Sequence, residues 1–100
     1  MAQPARPIRE IIQEALELKG LTANDWGIRP WTFNTAVLEA AEEVSYGLLP
    51  DEKRALVAAA GNTSPEYYRT FSIVRDYGRC NNIMAVIILL MYRAIKDSPT

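Results

Sequence analysis

The chain has no histidine and a single cysteine, Cys80, among its 100 residues. Without histidine it lacks the usual general base near neutral pH, the usual partner of a nucleophilic Ser or Cys, and the commonest transition-metal ligand. One cysteine cannot form an internal disulfide, which indicates a reducing compartment. We therefore expect a protein that is not an enzyme and binds no metal or cofactor, and we interpret Cys80 as a small buried hydrophobe.

Long apolar runs and glycine-rich loops are missing too. The longest uncharged apolar run, Ile83–Tyr92, has ten residues, whereas a membrane-spanning helix needs about 20. The first residues, MAQPARPIRE, contain no apolar core of the kind found in signal peptides. The glycines stand singly, so they do not form a phosphate-binding loop. These features predict a cytoplasmic protein without a membrane segment.

A basic excess is also lacking, since 11 Lys and Arg stand against 12 Asp and Glu. This balance disfavours a general polyanion binder. The charge is unevenly spread: residues 1–61 carry six basic and nine acidic side chains, and residues 62–100 carry five and three. This asymmetry favours a directional protein contact. The carboxylates of Glu39, Glu42 and Glu43 are interpreted as a solvated helix face, because the Glu-x-x-His motif of di-metal bundles is absent.

The apolar residues recur at helical spacing, and no strand alternation is present. This pattern predicts an all-α fold, a compact bundle of four or five helices. We expect residues 1–6 to be a flexible tail, residues 7–97 to form a single helical domain, and residues 98–100 to be a flexible C-terminus.

Turn and capping residues place the helix ends. The first helix starts at Pro7 or Ile8 and ends at Gly20, with Leu21 folding back on Leu16. A capping box over residues 22–25 starts a short turn.

Proline marks the later helix starts. A second helix is predicted from Pro30 or Thr32, and a third from Pro50 to Ala60. Ser64 and Pro65 begin a long, apolar C-terminal helix that is expected to kink or break near Gly78.

The C-terminal helix carries apolar residues on two sides. One side is a normal core stripe, and the other is a second stripe formed by Ile83, Val86 and Leu90. A helix that is apolar all round must be surrounded. Either it is the central helix of the bundle, or its second face is an interface. We favour the interface, in a homodimer or in a complex with another protein.

Two further groups are candidate binding residues. Trp26, Trp31 and Phe33 lie beside Arg29 within eight residues. Tryptophan with arginine on a turn is typical of binding hot spots, although both tryptophans could instead close the core.

The second group is Arg69, Arg75 and Arg79, which alternate with aromatic residues. Such a pattern suits single-stranded nucleic acid. We favour the alternative in which the aromatic residues pack and the arginines pair with acidic side chains, so nucleic acid is the less favoured partner.

The Gly61–Pro65 loop, followed by a long helix from Tyr67 to Ile95 with its aliphatic run, resembles the small helical antiactivators that silence quorum-sensing transcription factors. Those proteins have a similar length and dock on a protein without performing chemistry. The resemblance implies a regulator that inhibits or sequesters a protein partner, such as a transcription factor. Phage anti-defence proteins, toxin-immunity inhibitors and a nucleic-acid-binding regulator remain alternatives.

Overall fold

The computed structural model describes residues 4–61 and 66–97, and these form an all-α bundle. Within this part of the chain there are five α-helices and one short 3-10 helix. In chain order they are α1 (Ile8–Leu18), the 3-10 helix (Ala23–Asp25), α2 (Thr35–Tyr46), α3 (Pro50–Gly61), α4 (Glu66–Gly78) and α5 (Asn82–Asp97). The predicted fold class is confirmed. The helix start predicted at Ser64 and Pro65 and the C-terminus predicted at 98–100 lie outside the described residues.

The end of α1 follows the predicted Schellman arrangement. Gly20 has a positive φ of 61°, a conformation that glycine adopts without a steric penalty. The backbone N–H of Leu21 donates to the carbonyl of Leu16 at 2.8 Å. The next turn begins with the predicted capping box, in which the Asp25 carboxylate accepts from the Thr22 backbone N–H at 2.7 Å.

The predicted start of α2 at Pro30 or Thr32 is wrong. The helix begins at Thr35, where the Asn34 side chain accepts a hydrogen bond from the Val37 N–H at 3.3 Å. Asn34 is a favourable N-cap because its side-chain oxygen satisfies an otherwise unpaired N–H of the first turn. The preceding residues are held in a separate loop, described below.

Helix α5 is the central helix of the bundle, because α1, α2, α3 and α4 all pack against it. Its buried residues are Ala85, Val86, Ile87, Ile88, Leu89 and Met91. Val86 is only 2% exposed, and Ile83 and Leu90 are partly buried against the core. The exposed stripe predicted from these three residues is therefore not formed. Of the two alternatives drawn from the sequence, the structure has the central helix.

The chain turns sharply between α4 and α5. The two helices, at Tyr67–Gly78 and Asn82–Asp97, are bent by 113° relative to each other. The break expected near Gly78 is thus present, and the C-terminal apolar helix is 16 residues long. Among the described residues no single helix is long and apolar enough to cross a membrane, although this bent pair together meets that criterion by length and composition.

An ion pair attaches the N-terminal segment to α3. Glu52 is buried, at 1% exposure, and its carboxylate accepts hydrogen bonds from the Arg6 side chain at 2.9 Å, the Arg6 backbone at 2.8 Å and the Leu49 backbone at 2.7 Å. Arg6 also pairs with Glu14 on α1. Arg6, which the sequence placed in a flexible tail, is thus held by a carboxylate that needs a cationic partner to be buried.

We expect Ile87→Ala to lower the free energy of unfolding by about 3 kcal/mol, because it leaves a cavity at the centre of the bundle. Arg93→Ala, on the exposed side of the same helix, is the control and should change it by less than about 0.5 kcal/mol. Chemical denaturation of both variants measures the difference. Equal, small effects would show that α5 is not enclosed.

The same ion pair predicts acid sensitivity. The Arg6 guanidinium, aided by the Leu49 and Arg6 N–H groups, lowers the pKa of Glu52 from 4.5 to about 2. Because the folded-state pKa lies below the unfolded one, the stabilisation is complete above pH 4.5 and is lost as the pH falls towards 2. Glu52→Gln should lower stability by about 2 kcal/mol at neutral pH and flatten this acid dependence.

Denaturation curves at several pH values test this expectation. Glu10→Gln, which changes an exposed carboxylate on α1, should leave the acid dependence in place. An unchanged acid dependence in Glu52→Gln would contradict the proposed role of the ion pair.

Candidate functional site

A short loop between the 3-10 helix and α2 is held by its own hydrogen bonds. Trp26 and Phe33 form an antiparallel bridge, and the Gly27 N–H donates to the Thr32 carbonyl. Inside this bridge, the Thr32 N–H donates to the Arg29 carbonyl at 3.0 Å, closing a turn with Pro30 in the position that proline favours. The Thr32 hydroxyl donates to the same carbonyl at 2.9 Å and accepts the Arg29 N–H at 3.3 Å.

The base of the loop is fixed to the elements on both sides. The Asn34 N–H donates to the Asp25 carbonyl at 3.1 Å, and the Asn34 side-chain amide donates to the Asp25 carboxylate at 2.6 Å. The Thr22 N–H, followed by the Asn34 amide, lowers the pKa of Asp25, because both hydrogen bonds favour its charged form. The same carboxylate therefore caps the 3-10 helix and anchors α2.

The tip of the loop exposes an aliphatic side chain. Ile28 is 93% exposed, the most exposed of the large hydrophobic residues described by the structure. Beside it, the Arg29 guanidinium lies over the Trp31 ring, 5.1 Å from the ring centroid, a distance at which a cation is attracted to the ring face. Trp31 is partly buried and packs against the core. An apolar tip therefore stands next to an aromatic residue and a cation.

The C-terminal end of α4 adjoins this loop. The ring of Phe33 meets that of Tyr77 edge to face, with 5.3 Å between centroids, and Tyr77 is exposed. A Cβ atom at Gly78 would lie 3.3 Å from Phe33 Cζ and 2.8 Å from Leu38 Cδ2. Gly78 is therefore needed for close packing of α4 against α2 and the loop. We call this region the loop–α4 surface and define it by Ile28, Arg29, Trp31, Phe33, Tyr77 and Arg79.

Arg79 has a left-handed backbone. Its φ is 51°, the only positive value at a non-glycine residue among those described. The Cys80 N–H donates to the Arg75 carbonyl at 3.1 Å, so Arg79 occupies the helix-ending position at which Gly20 stands after α1. An L-residue with a side chain is disfavoured there by steric contact of its Cβ. The exposed Arg79 side chain thus follows directly after the close contact at Gly78.

The structure brings residues of the two candidate groups into one region. From the aromatic group, Arg29, Trp31 and Phe33 lie on the loop–α4 surface, and from the arginine group only Arg79 adjoins it. Trp26 is 6% exposed and belongs to the core, where its indole N–H has no hydrogen-bond partner among the described residues. Its predicted place at an interface is therefore corrected: the antiparallel bridge turns this residue inward.

The remaining candidate residues lie elsewhere. The Arg75 side chain donates hydrogen bonds to Asp76 and Asn82 and lies over the Phe71 ring. This agrees with the alternative in which the arginines pair with acidic side chains. Arg69 is exposed on α4. Val86 is enclosed by the bundle, and this removes it from any surface site.

Ile28 and Tyr77 were not among the sequence candidates. Ile28 lies between Gly27 and the Arg29–Pro30 turn, where no helical period assigns it a face. The signal in the sequence that could have identified Ile28 is a large aliphatic residue placed within a turn. Tyr77 follows the buried Val74 by three residues, a spacing that predicts a place in the core. It is exposed because it lies in the last turn of α4.

Three other places among the described residues carry polar or titratable groups. Glu39 and Glu43 are both near Lys19, at 3.9 and 3.4 Å. Burial raises the pKa of the Cys80 thiol, which disfavours the nucleophilic thiolate. An open groove of about 560 Å³ between α1 and α5 is lined by Leu16, Leu21 and Ile95, and its one titratable lining residue, Glu17, accepts a hydrogen bond from Gln13.

Gly78→Val should lower the free energy of unfolding by about 2 kcal/mol, because the added side chain would overlap Leu38 and displace Phe33. The matched control is Gly47→Val, at the end of α2, where the nearest atom to an added Cβ is 3.8 Å away. Denaturation measures stability, and near-ultraviolet circular dichroism reports the aromatic packing. Identical effects of the two substitutions would show that the close approach at Gly78 is not required.

Comparison with protein-family models, with curated proteins and with solved structures finds no match to this chain.

Proposed function

We propose that this protein is a non-catalytic regulator that binds a partner protein through the loop–α4 surface and thereby inhibits or sequesters it. The observation that carries the proposal is Ile28, 93% exposed at the tip of a loop whose backbone is fixed on both sides. Transferring such a side chain from water into a protein pocket stabilises a complex by about 1.5–3 kcal/mol.

The hydrogen bonds of the loop support this function. Binding is weakened when a flexible segment must be ordered, and a loop already held in one conformation avoids most of that loss. The Thr32 side chain supplies two of these bonds, both to the Arg29 backbone. The tip is therefore presented in a defined geometry, and Arg29 with Trp31 beside it has the composition of an interface hot spot.

The site of docking differs from the helix face expected from the sequence. Since α5 is enclosed by the other helices, its apolar residues no longer give a reason to expect a homodimer through that helix. A homodimer stays a prediction, which light scattering tests.

The type of partner is likewise a proposal. The helix from Tyr67 to Ile95 that carried the resemblance to antiactivators is two helices here. A transcription factor, a bacterial defence protein or a toxin would each be inhibited by the same kind of docking, in the cytoplasm.

Position-specific cross-linking tests the proposal and identifies the partner. A photoreactive residue replacing Ile28 should give a discrete adduct with another protein in the native host, and excess unmodified protein should suppress it. The control places the same residue at Val57 on α3, which is 49% exposed and should give no such adduct.

With the purified partner, Ile28→Asp should weaken binding at least tenfold, or about 1.4 kcal/mol, because a charge replaces the apolar tip. Val57→Asp should leave the affinity unchanged, and both variants should stay folded by circular dichroism. The proposal is wrong if Ile28→Asp binds like the wild-type protein.

A further inference from the structure

We propose that the loop–α4 surface takes an acidic segment of the partner, in which carboxylates contact Arg29 and Arg79 and an apolar residue packs beside Ile28. This inference rests on the docking function proposed above and specifies the chemistry of what is docked.

Both charged side chains of the loop–α4 surface are arginines. Among the described residues, Arg6 pairs with Glu14 and Glu52, and Lys19 with Glu39 and Glu43. No ion pair is formed by Arg29 or Arg79 in the same part of the chain.

Other exposed cations of the described residues, such as Arg69 and Arg93, also form no ion pair. On the loop–α4 surface the two arginines stand with the exposed Ile28 and Tyr77, and no carboxylate is among the residues that define this surface. Complementary charge on a partner would guide its approach and select against basic partners.

Arg79 occupies its position at a cost in stability. Glycine is the preferred residue at a position with a left-handed backbone conformation directly after a helix. The chain has glycine, Gly20, at the corresponding position after α1. After α4 it has arginine, with an exposed side chain that forms no ion pair with the described residues. Backbone strain of this kind is found preferentially at functional sites. A binding role for the guanidinium is the reason we infer for keeping arginine here.

The surface fits a protein segment better than nucleic acid. A single-stranded nucleic acid stacks successive bases on open aromatic faces, but the Trp31 face is covered by Arg29 and the Phe33 ring is met by Tyr77. The exposed Tyr77 is the one ring of this surface left open. The most exposed residue, Ile28, is aliphatic and offers no ring for stacking. A pocket or apolar side chain of a protein is the matching contact for it.

Peptide selection tests the chemistry without knowledge of the partner. A random peptide library is selected on the wild-type protein and counter-selected on the Ile28→Ala variant. The recovered peptides should place Asp or Glu next to large apolar residues, and synthetic copies should bind more weakly as salt is added. The inference is overturned if no peptide is enriched, if the peptides carry no acidic excess, or if oligo-dT displaces them from the same surface.

Arg79→Gly provides a test in which stability and binding change in opposite directions. Removing the left-handed side chain should raise the Tm by roughly 4 °C, while the affinity for the selected acidic peptides falls roughly tenfold or more. Arg79→Ala should lose affinity without the gain in Tm, because alanine keeps the Cβ. Arg79→Lys should retain most of the affinity.

The variants distinguish the proposed acidic partner segment from the proposed docking function. If Ile28→Asp weakens binding of the cross-linked native partner and Arg79→Gly weakens neither partner nor peptide binding, the docking function stands and the acidic partner is wrong. If both substitutions leave binding unchanged, both proposals fail. A merely structural role for Arg79 would change the Tm without changing the affinity.

Discussion

The enclosure of α5 by the four other helices is the constraint on which the rest of this structure depends. A helix with large aliphatic residues around most of its circumference is stable in water only if neighbours cover those residues. Here α1, α2, α3 and α4 all pack against it, and six of its 16 residues are buried. The sharp turn between α4 and α5 is part of the same arrangement, because it lets α4 return along α5 instead of extending away from it.

This enclosure decides which apolar residues are left at the surface of the described part of the chain. Once Val86 and its neighbours are covered, the helix surfaces present mainly charged and polar side chains, and the exposed large apolar residues are scattered singly. The loop at residues 27–32 differs, because its apolar tip precedes Arg29, which lies over the Trp31 ring, and Phe33 at the base of the loop contacts the exposed Tyr77. The loop is able to expose Ile28 because its own hydrogen bonds and the anchoring of Asn34 to Asp25 hold it without burying its tip.

Two neighbouring residues at the end of α4 show how packing and binding impose different demands. Gly78 has an ordinary helical backbone. An added Cβ there would lie 2.8 Å from Leu38 Cδ2 and 3.3 Å from Phe33 Cζ, so the position leaves no room for a side chain. Arg79 takes the left-handed conformation that glycine would adopt more easily. Close packing therefore explains the glycine, and the charged side chain in a strained position is the observation on which we base the proposed contact of Arg79 with a partner.

The sequence by itself determined the local structure: the ends of α1, the capping box at Thr22, the start of α3 at Pro50 and the break after Gly78 all follow from residues within one or two turns. These signals act over short distances, through hydrogen bonds and steric limits of the adjacent backbone. The start of α2 was missed because Arg29–Pro30 belongs to a loop closed by the bridge between Trp26 and Phe33. Only the tertiary structure decided that Val86 is inside, that Ile28 is outside, and that Glu52 is buried against Arg6. Burial depends on which elements pack against each other, and such contacts join residues far apart in the chain, as Arg6 and Glu52 show.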